Sequence, residues 1–445
     1  MRERILLFTI LTCLGAFLFV FQNYVNTVVG FLILCACMVT YGMYSIAATK
    51  YQKRLMKKHP PVINENYKPF VTIMIPAHNE EYVIANTVEN ILQLDYPNFE
   101  IIVIDDRSSD NTDTVIRKLE EKYDKVTALV REKDAFPGKS AVLNDALKLA
   151  KGEAILVFDA DATVEPDFLN RLVPLLEPSD VGAVQARKII RNKDYNILTR
   201  CQNNEYTMDT SLQVGRDSVK GAVELRGNGE LIKRTALEDI NGWNNYTITD
   251  DLDMSTRLHI KGWDIRFCPD ACVYEEGIIY VMPLFRQRRR WLEGTIRRYL
   301  EYFGEAIRSK KMSLRARLDM TIYITQFIMP LWFMIELVSR ISKFIVDKSD
   351  FHNVLWSSLI ISAAVGLGFF STIRYSLRRY DNVTRQSAFK QAFETTVYFL
   401  IIWFPMELFI CGKILFCKKD MNWGKTAHGL VLEEQNKQET EMQEV

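Results

Sequence analysis

The chain has 445 residues, which is long enough for two or three domains, and its net charge of +1 gives no electrostatic case for nucleic-acid binding. Its hydrophobic content of 48% is ordinary for a soluble protein, but apolar residues are concentrated near both ends of the chain. The middle region has the mixed polar and apolar composition of a soluble domain. Among the eight cysteines, Cys268 and Cys272 have no second pair at metal-ligand spacing, so a zinc site is not expected.

Two apolar runs near the N-terminus, 5–21 and 28–48, are each long enough to cross a hydrocarbon core of roughly 30 Å. The short link between them favours a helical hairpin over a cleaved signal peptide. Basic residues follow the second run over 50–58, whereas the link 22–27 carries no charge. By the positive-inside rule, residues 1–50 are expected to form a membrane hairpin, with the N-terminus and the middle region in the cytoplasm.

The middle region alternates short apolar runs with amphipathic segments. The expected strands are 71–76, 100–106, 126–130, 154–159 and 181–190, and the expected helices are 81–93, 112–122, 138–150 and 194–213. Asn79 is placed to cap the first of these helices. This alternation predicts an α/β domain with a parallel sheet of the doubly wound type.

Two of the predicted strands end in acidic pairs, Asp105 with Asp106 and Asp159 with Asp161. Ligands of open α/β sheets bind at the carboxyl ends of the strands, so both pairs are expected at one edge of the sheet. A nucleotide base or ribose offers hydrogen-bond donors to the first pair. Two carboxylates one residue apart suit a divalent cation that also holds phosphate oxygens, and the alternative for this second pair is a solvated acidic turn.

The segment Pro137–Ser140 resembles the end of a phosphate-binding P-loop. Lys133 stands where that motif requires glycine, which excludes an ATPase P-loop. Lys139 still opens a predicted helix, where a cation and free backbone N–H groups together favour a phosphate. The alternative is an ordinary solvated lysine on a helix.

Further along, the Arg-Gly-Asn-Gly segment 226–229 is a loop in which the backbone can approach a ligand closely, although a lone Gly-x-Gly is more often only a turn. Thr249 can cap a helix that runs to about Lys261, and the aspartates 250, 251 and 253 complement its dipole. The functional alternative makes one of these aspartates the general base for an acceptor hydroxyl.

A basic, aromatic segment, Arg286–Trp291, precedes a helix that is expected to end near Phe303. Such a segment beside a membrane usually binds anionic headgroups. The alternative is a binding role, in which Trp291 stacks on a sugar and a neighbouring arginine binds diphosphate oxygens.

Three more apolar runs, 318–341, 353–373 and 393–416, predict membrane or interfacial helices within 306–420, followed by a polar tail over 421–445. Five spans would place the C-terminus outside, whereas the basic residues Lys413, Lys418 and Lys419 favour the inside. An interfacial or re-entrant segment would reconcile the two, and Pro405 marks the last run as unusual.

Two carboxylates, Glu336 and Glu407, lie within the predicted spans. Ionisable residues inside membrane segments are expensive and often functional, so both are candidates for a polar passage. The alternative is a carboxylate that snorkels to the interface or pairs with another helix.

The order of these motifs resembles the membrane-bound processive enzymes of glycosyltransferase family 2, which include cellulose, hyaluronan and poly-N-acetylglucosamine synthases. The resemblance covers roughly 71–300 and rests on six motifs that are individually weak but stand in the family's order. They are Pro76-x-x-Asn79-Glu80, Asp105-Asp106-x-Ser108, Gly138-Lys139 with Leu143 and Asn144, Asp159-x-Asp161, Thr249-Asp250-Asp251, and Gln287-x-x-Arg290-Trp291. The family usually carries glutamate where Asp250 stands, and the shorter side chain keeps the charge.

The resemblance implies a GT-A, Rossmann-like cytosolic domain over 51–305, with N- and C-terminal transmembrane helices, a UDP-sugar donor, and Mg²⁺ or Mn²⁺. In the roles it implies, Asp105 and Asp106 hold the uridine, Lys139 touches the diphosphate, Asp159 and Asp161 bind ribose and metal, Asp251 deprotonates the acceptor, and Gln287, Arg290 and Trp291 close over the diphosphate and acceptor end. One base with no carboxylate nucleophile implies an inverting single displacement and a β-linkage, in which metal and arginine stabilise the departing UDP.

The resemblance therefore predicts a multi-pass plasma-membrane enzyme that uses UDP-GlcNAc or UDP-Glc to elongate an extracellular polysaccharide at the cytosolic face. Export of the growing glycan, with accessory export subunits and membrane lipids as partners, would follow. One alternative is a non-processive transferase that adds a single sugar to a lipid acceptor, because lipid transferases carry a related Gln/Arg-x-x-Arg-Trp pattern. The alternative from another class is a non-catalytic membrane scaffold or transporter.

Overall fold

The computed structural model of the protein describes residues 2–24, 27–58, 64, 66–323, 341–342, 345 and 351–417. Several predictions lie outside these described residues. They concern most of the run 318–341 with Glu336, the residues Lys418 and Lys419, and the polar tail 421–445.

The domain is built on an eight-stranded sheet with the order β3-β2-β1-β4-β7-β6-β8-β5. Its strands are β1 (Val71–Ala77), β2 (Phe99–Asp105), β3 (Val126–Val130), β4 (Ala154–Val157), β5 (Thr163–Val164), β6 (Val181–Ile190), β7 (Glu230–Lys233) and β8 (Asp264–Glu275). β3, β2, β1 and β4 are mutually parallel, which confirms the predicted α/β alternation. β5, β7 and β8 were not anticipated from the sequence pattern.

The predicted parallel sheet is confirmed only in part, because β7 runs antiparallel to both of its neighbours, β4 and β6, and β5 runs antiparallel to β8. The loop 226–229 explains the reversal. The N–H group of Gly229 donates to the carbonyl of Val157 at 2.9 Å, so β7 starts where β4 ends and must run back alongside it. The result is a mixed α/β sheet in which the carboxyl ends of the parallel central strands lie at one edge, as predicted.

Side chains on both faces of the central strands are buried, which explains why the apolar runs in the sequence are uninterrupted. In β1 all seven residues are buried. Ile73 and Ile75 point into the apolar cluster on one face of the sheet, and Met74 points into the cluster on the other.

The helices are α1 (Arg2–Tyr24), α2 (Thr27–Lys58), α3 (Ile84–Ile91), α4 (Thr112–Lys122), α5 (Lys139–Leu147), α6 (Phe168–Leu172), α7 (Ile197–Ser218), α8 (Arg234–Asp239), α9 (Asp250–Lys261), α10 (Val281–Arg308), α11 (Phe351–Tyr380), α12 (Arg385–Tyr398) and α13 (Phe404–Phe416). A 3₁₀ turn at Val173–Leu176 follows α6, and a π-helical turn at Phe399–Trp403 joins α12 to α13.

Two predicted helix caps differ from the structure. Asn79 does not cap α3: its backbone is left-handed, with φ of 59°, and its Oδ1 accepts a hydrogen bond from the Ser109 N–H at 2.7 Å. The asparagine thus joins the loops after β1 and β2. Thr249 does precede α9 as predicted, but its side chain makes no capping hydrogen bond.

Within the described residues, one helical stretch, Arg385–Phe416, is long and apolar enough to cross a membrane, judged by length and composition alone. The predicted runs 5–21, 28–48 and 353–373 fall inside α1, α2 and α11 and are helical. That these three helices cross a membrane stays a prediction.

The terminal helices pack directly against the sheet domain. Leu7 of α1, Leu292 of α10 and Ile410 of α13 share one apolar cluster. The turn after α11 is also attached, because Asp381 forms an ion pair with Arg187 of β6. The C-terminal helices therefore lie beside the part of the domain that contains α7, α10 and the carboxyl edge of the sheet.

Candidate active site

A cavity of about 570 Å³ opens beside the carboxyl ends of β1 and β4. Most of the residues that the sequence nominated for donor binding and catalysis line it, although they come from four separate segments of the chain. They are Lys139, Asp159, Asp161, Asp251, Gln287, Arg290 and Trp291. The two remaining nominees, Asp105 and Asp106, are not among the lining residues.

Asp105 and Asp106 lie buried at the end of β2. Asp106 forms ion pairs with Arg131 at 2.6 Å and Arg107 at 2.9 Å. Asp105 accepts the Ser108 N–H at 3.3 Å through one oxygen, whereas its buried Oδ1 has no partner among the described residues. Burial raises the pKa of Asp105. The structure therefore gives Asp106 a protein partner, and contact of this pair with a nucleotide stays a prediction.

Lys139 is held at the first turn of α5, where Gly138 precedes it with φ of 107°. Its Nζ donates to Asp159 Oδ1 at 2.6 Å and to the Gly227 carbonyl at 2.9 Å. Burial acts to lower the pKa of Lys139, but the carboxylates of Asp159, Asp250 and Glu230 outweigh burial and raise it. A fixed cation thus lies inside the cavity at a helix N-terminus, an arrangement that favours an anion.

Asp159 and Asp161 follow β4 on the turn that the sequence predicted. The side chain of Asp159 is 40% exposed. Asp161 Oδ2 accepts the backbone N–H of Glu276, just after β8, at 3.0 Å. No group of three or more His, Cys, Asp or Glu side chains in the described part of the chain is arranged to hold a metal ion by itself. The two carboxylates nevertheless supply hard oxygen ligands on the cavity wall, which suits a divalent cation shared with a phosphate-bearing ligand.

The loop 226–229 connects these groups. In the sequence this loop appears only as a weak Gly-x-Gly signal. Its Asn228 side chain accepts the Asp159 N–H at 3.2 Å and donates to Glu275 at 3.1 Å. Arg226 anchors the loop through two hydrogen bonds to Asp209, at 2.7 and 2.9 Å. Gly227 has φ of 77°, and a Cβ placed on it would lie 3.3 Å from Asp251 Oδ2.

Asp251 lies in the first turn of α9, where its Oδ1 accepts the Leu252 N–H at 2.8 Å. Burial, reinforced by the adjacent Asp250 carboxylate, raises the pKa of Asp251 to about 6. Glu230 lies nearby, and burial together with Asp250 raises its pKa to about 8. A general base works best when its pKa lies near the working pH, so a cavity-wall carboxylate whose pKa is raised toward 7 has the required property.

The α10 segment supplies the far wall of the cavity. Gln287, Arg290 and Trp291 line it, whereas the intervening Arg288 is fully buried beneath them. Arg288 pairs with Glu205 of α7 at 3.1 Å, donates to the Gln287 side-chain oxygen, and lies 4.2 Å from the centroid of the Trp291 ring. Since Arg288 has no access to solvent, the headgroup-binding alternative does not apply to this arginine.

The match to the family model described as "Glycosyltransferase like family 2" covers residues 69–294, which include every cavity residue named so far. The chain belongs to glycosyltransferase family 2. It is accordingly a hexosyltransferase. A non-catalytic scaffold is therefore not the appropriate class.

Relatives of this glycosyltransferase include enzymes with different acceptors in their names. The β-monoglucosyldiacylglycerol synthase of Trichormus variabilis is 37% identical over 366 residues, 81% of this chain and 76% of the relative. The poly-β-1,6-N-acetyl-D-glucosamine synthase of Staphylococcus epidermidis is 31% identical over 247 residues, 55% of this chain and 59% of the relative.

A solved structure shares the fold of this glycosyltransferase. It is the mannosyltransferase PcManGT of Pyrobaculum calidifontis in complex with GDP-Man and Mn²⁺, with a TM-score of 0.53, 21% identity, and coverage of 83% of this chain and 98% of the other. The similarity confirms the predicted GT-A-like fold.

Another part of the wall of the glycosyltransferase cavity is largely aromatic. Phe369 of α11 and the residues Phe399, Trp403 and Phe404 around the π-helical turn form this wall, together with Glu407 of α13. The cavity thus continues from the acidic and basic groups of the GT-A-like domain to the C-terminal helices.

Several cavity residues were not identified from the sequence. Lys188 of β6 pairs with Glu275 of β8 at 2.9 Å and lies 5.7 Å from the Trp291 ring centroid. Glu205 and Tyr206 of α7 line the same region. None of them stands in a motif, because they reach the site through the pairing of β6 with β8 and the packing of α7.

Proposed function

We propose that this family 2 glycosyltransferase transfers a single hexose from a nucleotide-diphosphate sugar to the hydroxyl group of a membrane glycerolipid such as diacylglycerol, with inversion at the anomeric carbon. The observation that carries the proposal is the two-sided cavity. Its polar half contains Lys139, Asp159 and Asp251, and its apolar half is lined by aromatic side chains of the C-terminal helices. An acceptor with a hydroxyl head and hydrocarbon chains matches both halves.

Similarity to known proteins supports the lipid acceptor over the polymer. The lipid glucosyltransferase relative is more similar to this chain, and over more of its length, than the polysaccharide synthase. The expectation of extracellular polysaccharide elongation is not confirmed, and the alternative of a lipid acceptor fits better. Export and accessory export subunits are not needed for a product that remains in the membrane leaflet.

In the proposed reaction, the donor diphosphate lies between the cationic and the acidic groups. Asp159 and Asp161 are the residues that would hold a divalent cation, whose chemistry is to neutralise the diphosphate as it leaves. Lys139 and Arg290 add fixed positive charge on the protein side. Electrostatic stabilisation of this kind is usually the largest catalytic contribution.

Asp251 acts on the acceptor. Its carboxylate takes the proton of the lipid hydroxyl while the hydroxyl oxygen bonds to the anomeric carbon and the bond to the diphosphate breaks. No enzyme nucleophile is involved, so one displacement inverts the configuration and gives the β-linkage. A Cβ placed on Gly227 would lie 3.3 Å from this carboxylate, so a larger side chain at that position would crowd the base.

Arg288 positions the wall opposite the base. Because it contacts both Gln287 and Trp291 while it is paired with Glu205, the orientation of these lining side chains depends on a buried ion pair rather than on solvent-exposed contacts. Tyr398 of α12 also donates to Glu205 at 3.0 Å. This contact links the wall to the C-terminal helices.

The test uses the purified full chain in mixed micelles with diacylglycerol, a panel of UDP- and GDP-sugars, and Mg²⁺ or Mn²⁺. We expect a single monohexosyl diacylglycerol by mass spectrometry. The Asp251→Asn variant should lose this product, whereas the exposed control Glu238→Gln should form as much of it as the wild type. A polymer ladder independent of added lipid, or no lipid product with any donor, would contradict the proposal.

A further inference from the structure

The aromatic part of the cavity wall contains two polar groups that lack partners within the described part of the chain. Glu407 lines the cavity and is 4% exposed, and its carboxyl group makes no hydrogen bond or ion pair within the described part of the chain. The indole Nε1–H of Trp403 is buried and has no acceptor among the described residues. Most buried polar groups in proteins are hydrogen-bonded, so two such groups in one wall need an explanation.

Both groups lie on one helix face. Trp403 and Glu407 are four residues apart, the spacing that places side chains one above the other. The π-helical turn Phe399–Trp403 ends at this point with a hydrogen bond from the Phe404 N–H to the Phe399 carbonyl. Pro405 follows and has no N–H to continue the regular ladder, which gives a local cause for the irregular turn. Such turns are frequent at functional sites.

The chemistry of Trp403 and Glu407 limits which class of ligand could bind here. The basic residue of the same helix, Lys413, is paired with Glu293 at 2.6 Å, and no cation of the described chain pairs with Glu407. Burying a carboxylate without a cation is far more costly than burying the neutral acid, and the neutral acid carries an O–H donor. Glu407 and Trp403 therefore present two hydrogen-bond donors within an aromatic wall.

A ligand that satisfies both donors needs oxygen acceptors embedded in an apolar body. The acyl ester carbonyls of a diacylglycerol meet this requirement, because they lie between the reactive hydroxyl and the hydrocarbon chains.

We propose that Trp403 and Glu407 donate hydrogen bonds to the acyl ester carbonyls of the acceptor lipid and so select ester-linked over ether-linked diradylglycerols. The inference rests on the proposed lipid acceptor and goes further, because it identifies the part of the lipid that is recognised and the residues that recognise it.

The experiment compares kcat/KM for dioleoylglycerol and for its dialkyl ether analogue, which lacks the carbonyls, in the full chain with its preferred sugar donor. One neutral hydrogen bond contributes roughly 0.5–1.5 kcal/mol, or about two- to twelvefold. The wild-type enzyme is expected to prefer the ester by roughly tenfold or more. Glu407→Leu and Trp403→Phe should each reduce the ester-to-ether ratio several-fold, whereas Glu407→Gln, which keeps an N–H donor, should retain most of it.

Thr396→Val is the matched control, because Thr396 is buried on the adjoining helix α12 and bonds only within it, to the Ala392 carbonyl. Its ratio should equal that of the wild type. A wild-type ratio near one, or an unchanged ratio in both Glu407→Leu and Trp403→Phe, would overturn the ester-recognition proposal while the lipid acceptor stands. No transfer by the wild type to either lipid would instead overturn the proposed function.

Discussion

Replacing Asp251 with asparagine should abolish transfer and at the same time stabilise the fold. The substitution keeps the shape of the side chain and removes a half-buried charge on the cavity wall beside Asp250. Because burial and this neighbour raise the pKa of Asp251 from 3.8 to about 6, keeping the carboxylate ionised in the folded state costs roughly 3 kcal/mol at neutral pH. The asparagine variant does not incur that cost.

The sign of the pH dependence follows from the raised pKa. Below pH 3.8, Asp251 is protonated in both the folded and the unfolded state, and its contribution to the free energy of unfolding is then greatest. This contribution is lost as the pH rises through about 6. The stability difference between the variant and the wild type should therefore be small near pH 4, grow up to about pH 6, and level off above pH 7. Thermal unfolding of both proteins in the same detergent, monitored by tryptophan fluorescence across this range, measures the difference.

The transfer activity of the variant should fall although its stability rises. Since the base must be deprotonated, the wild-type rate should fall about tenfold per pH unit below its pKa, and the variant should lose roughly 10²- to 10⁴-fold at neutral pH. A variant that is less stable than the wild type at pH 7, or that retains transfer within a few-fold, would refute the view of Asp251 as a desolvated base on the cavity wall.

Four further outcomes follow from the same geometry. Lys139→Met should raise the KM for the sugar donor at least tenfold with a smaller effect on the acceptor KM, as steady-state kinetics would show. Gly227→Ala should lower kcat tenfold or more, because the backbone is left-handed and the new methyl group crowds Asp251; an unchanged kcat would count against the close approach. Arg288→Lys should reduce kcat while a folded circular dichroism spectrum is kept, since lysine cannot hold Gln287 and Glu205 together. Chelation with EDTA should remove activity, and added Mn²⁺ or Mg²⁺ should restore it.

Much of the cavity lining was predictable because the local sequence places these residues at the end of a strand or at the start of a helix. An apolar strand that ends in Asp159-Ala-Asp161 places carboxylates at the edge where parallel strands bind ligands, and the structure finds them on the cavity wall. Lys139 at a helix start and Asp251 in the first turn of α9 follow from equally local signals. Each of these motifs carries its own geometry.

The role of Asp105 and Asp106 shows the limit of such readings. Both aspartates end a parallel strand as expected, but Asp106 is occupied by Arg107 and Arg131, and neither aspartate lines the cavity. Arg131, which directly follows β3, reaches Asp106 only after β2 and β3 have paired. An acidic pair at a strand end therefore does not by itself distinguish a ligand contact from a buried ion pair.

By itself, the sequence determined the α/β alternation, the acidic carboxyl edge, the aspartates at the start of α9 and the membership in glycosyltransferase family 2, because short-range patterns encode all of these. Only the tertiary structure decided that β7 runs antiparallel, that Arg288 is buried beneath Gln287 and Trp291, and that aromatic residues of the last helices close the cavity. These features depend on contacts between segments distant in the chain, and no local pattern records which distant segments meet. Glu407 illustrates the difference: the sequence marked it as a costly carboxyl in an apolar run, and the fold placed it in the cavity wall.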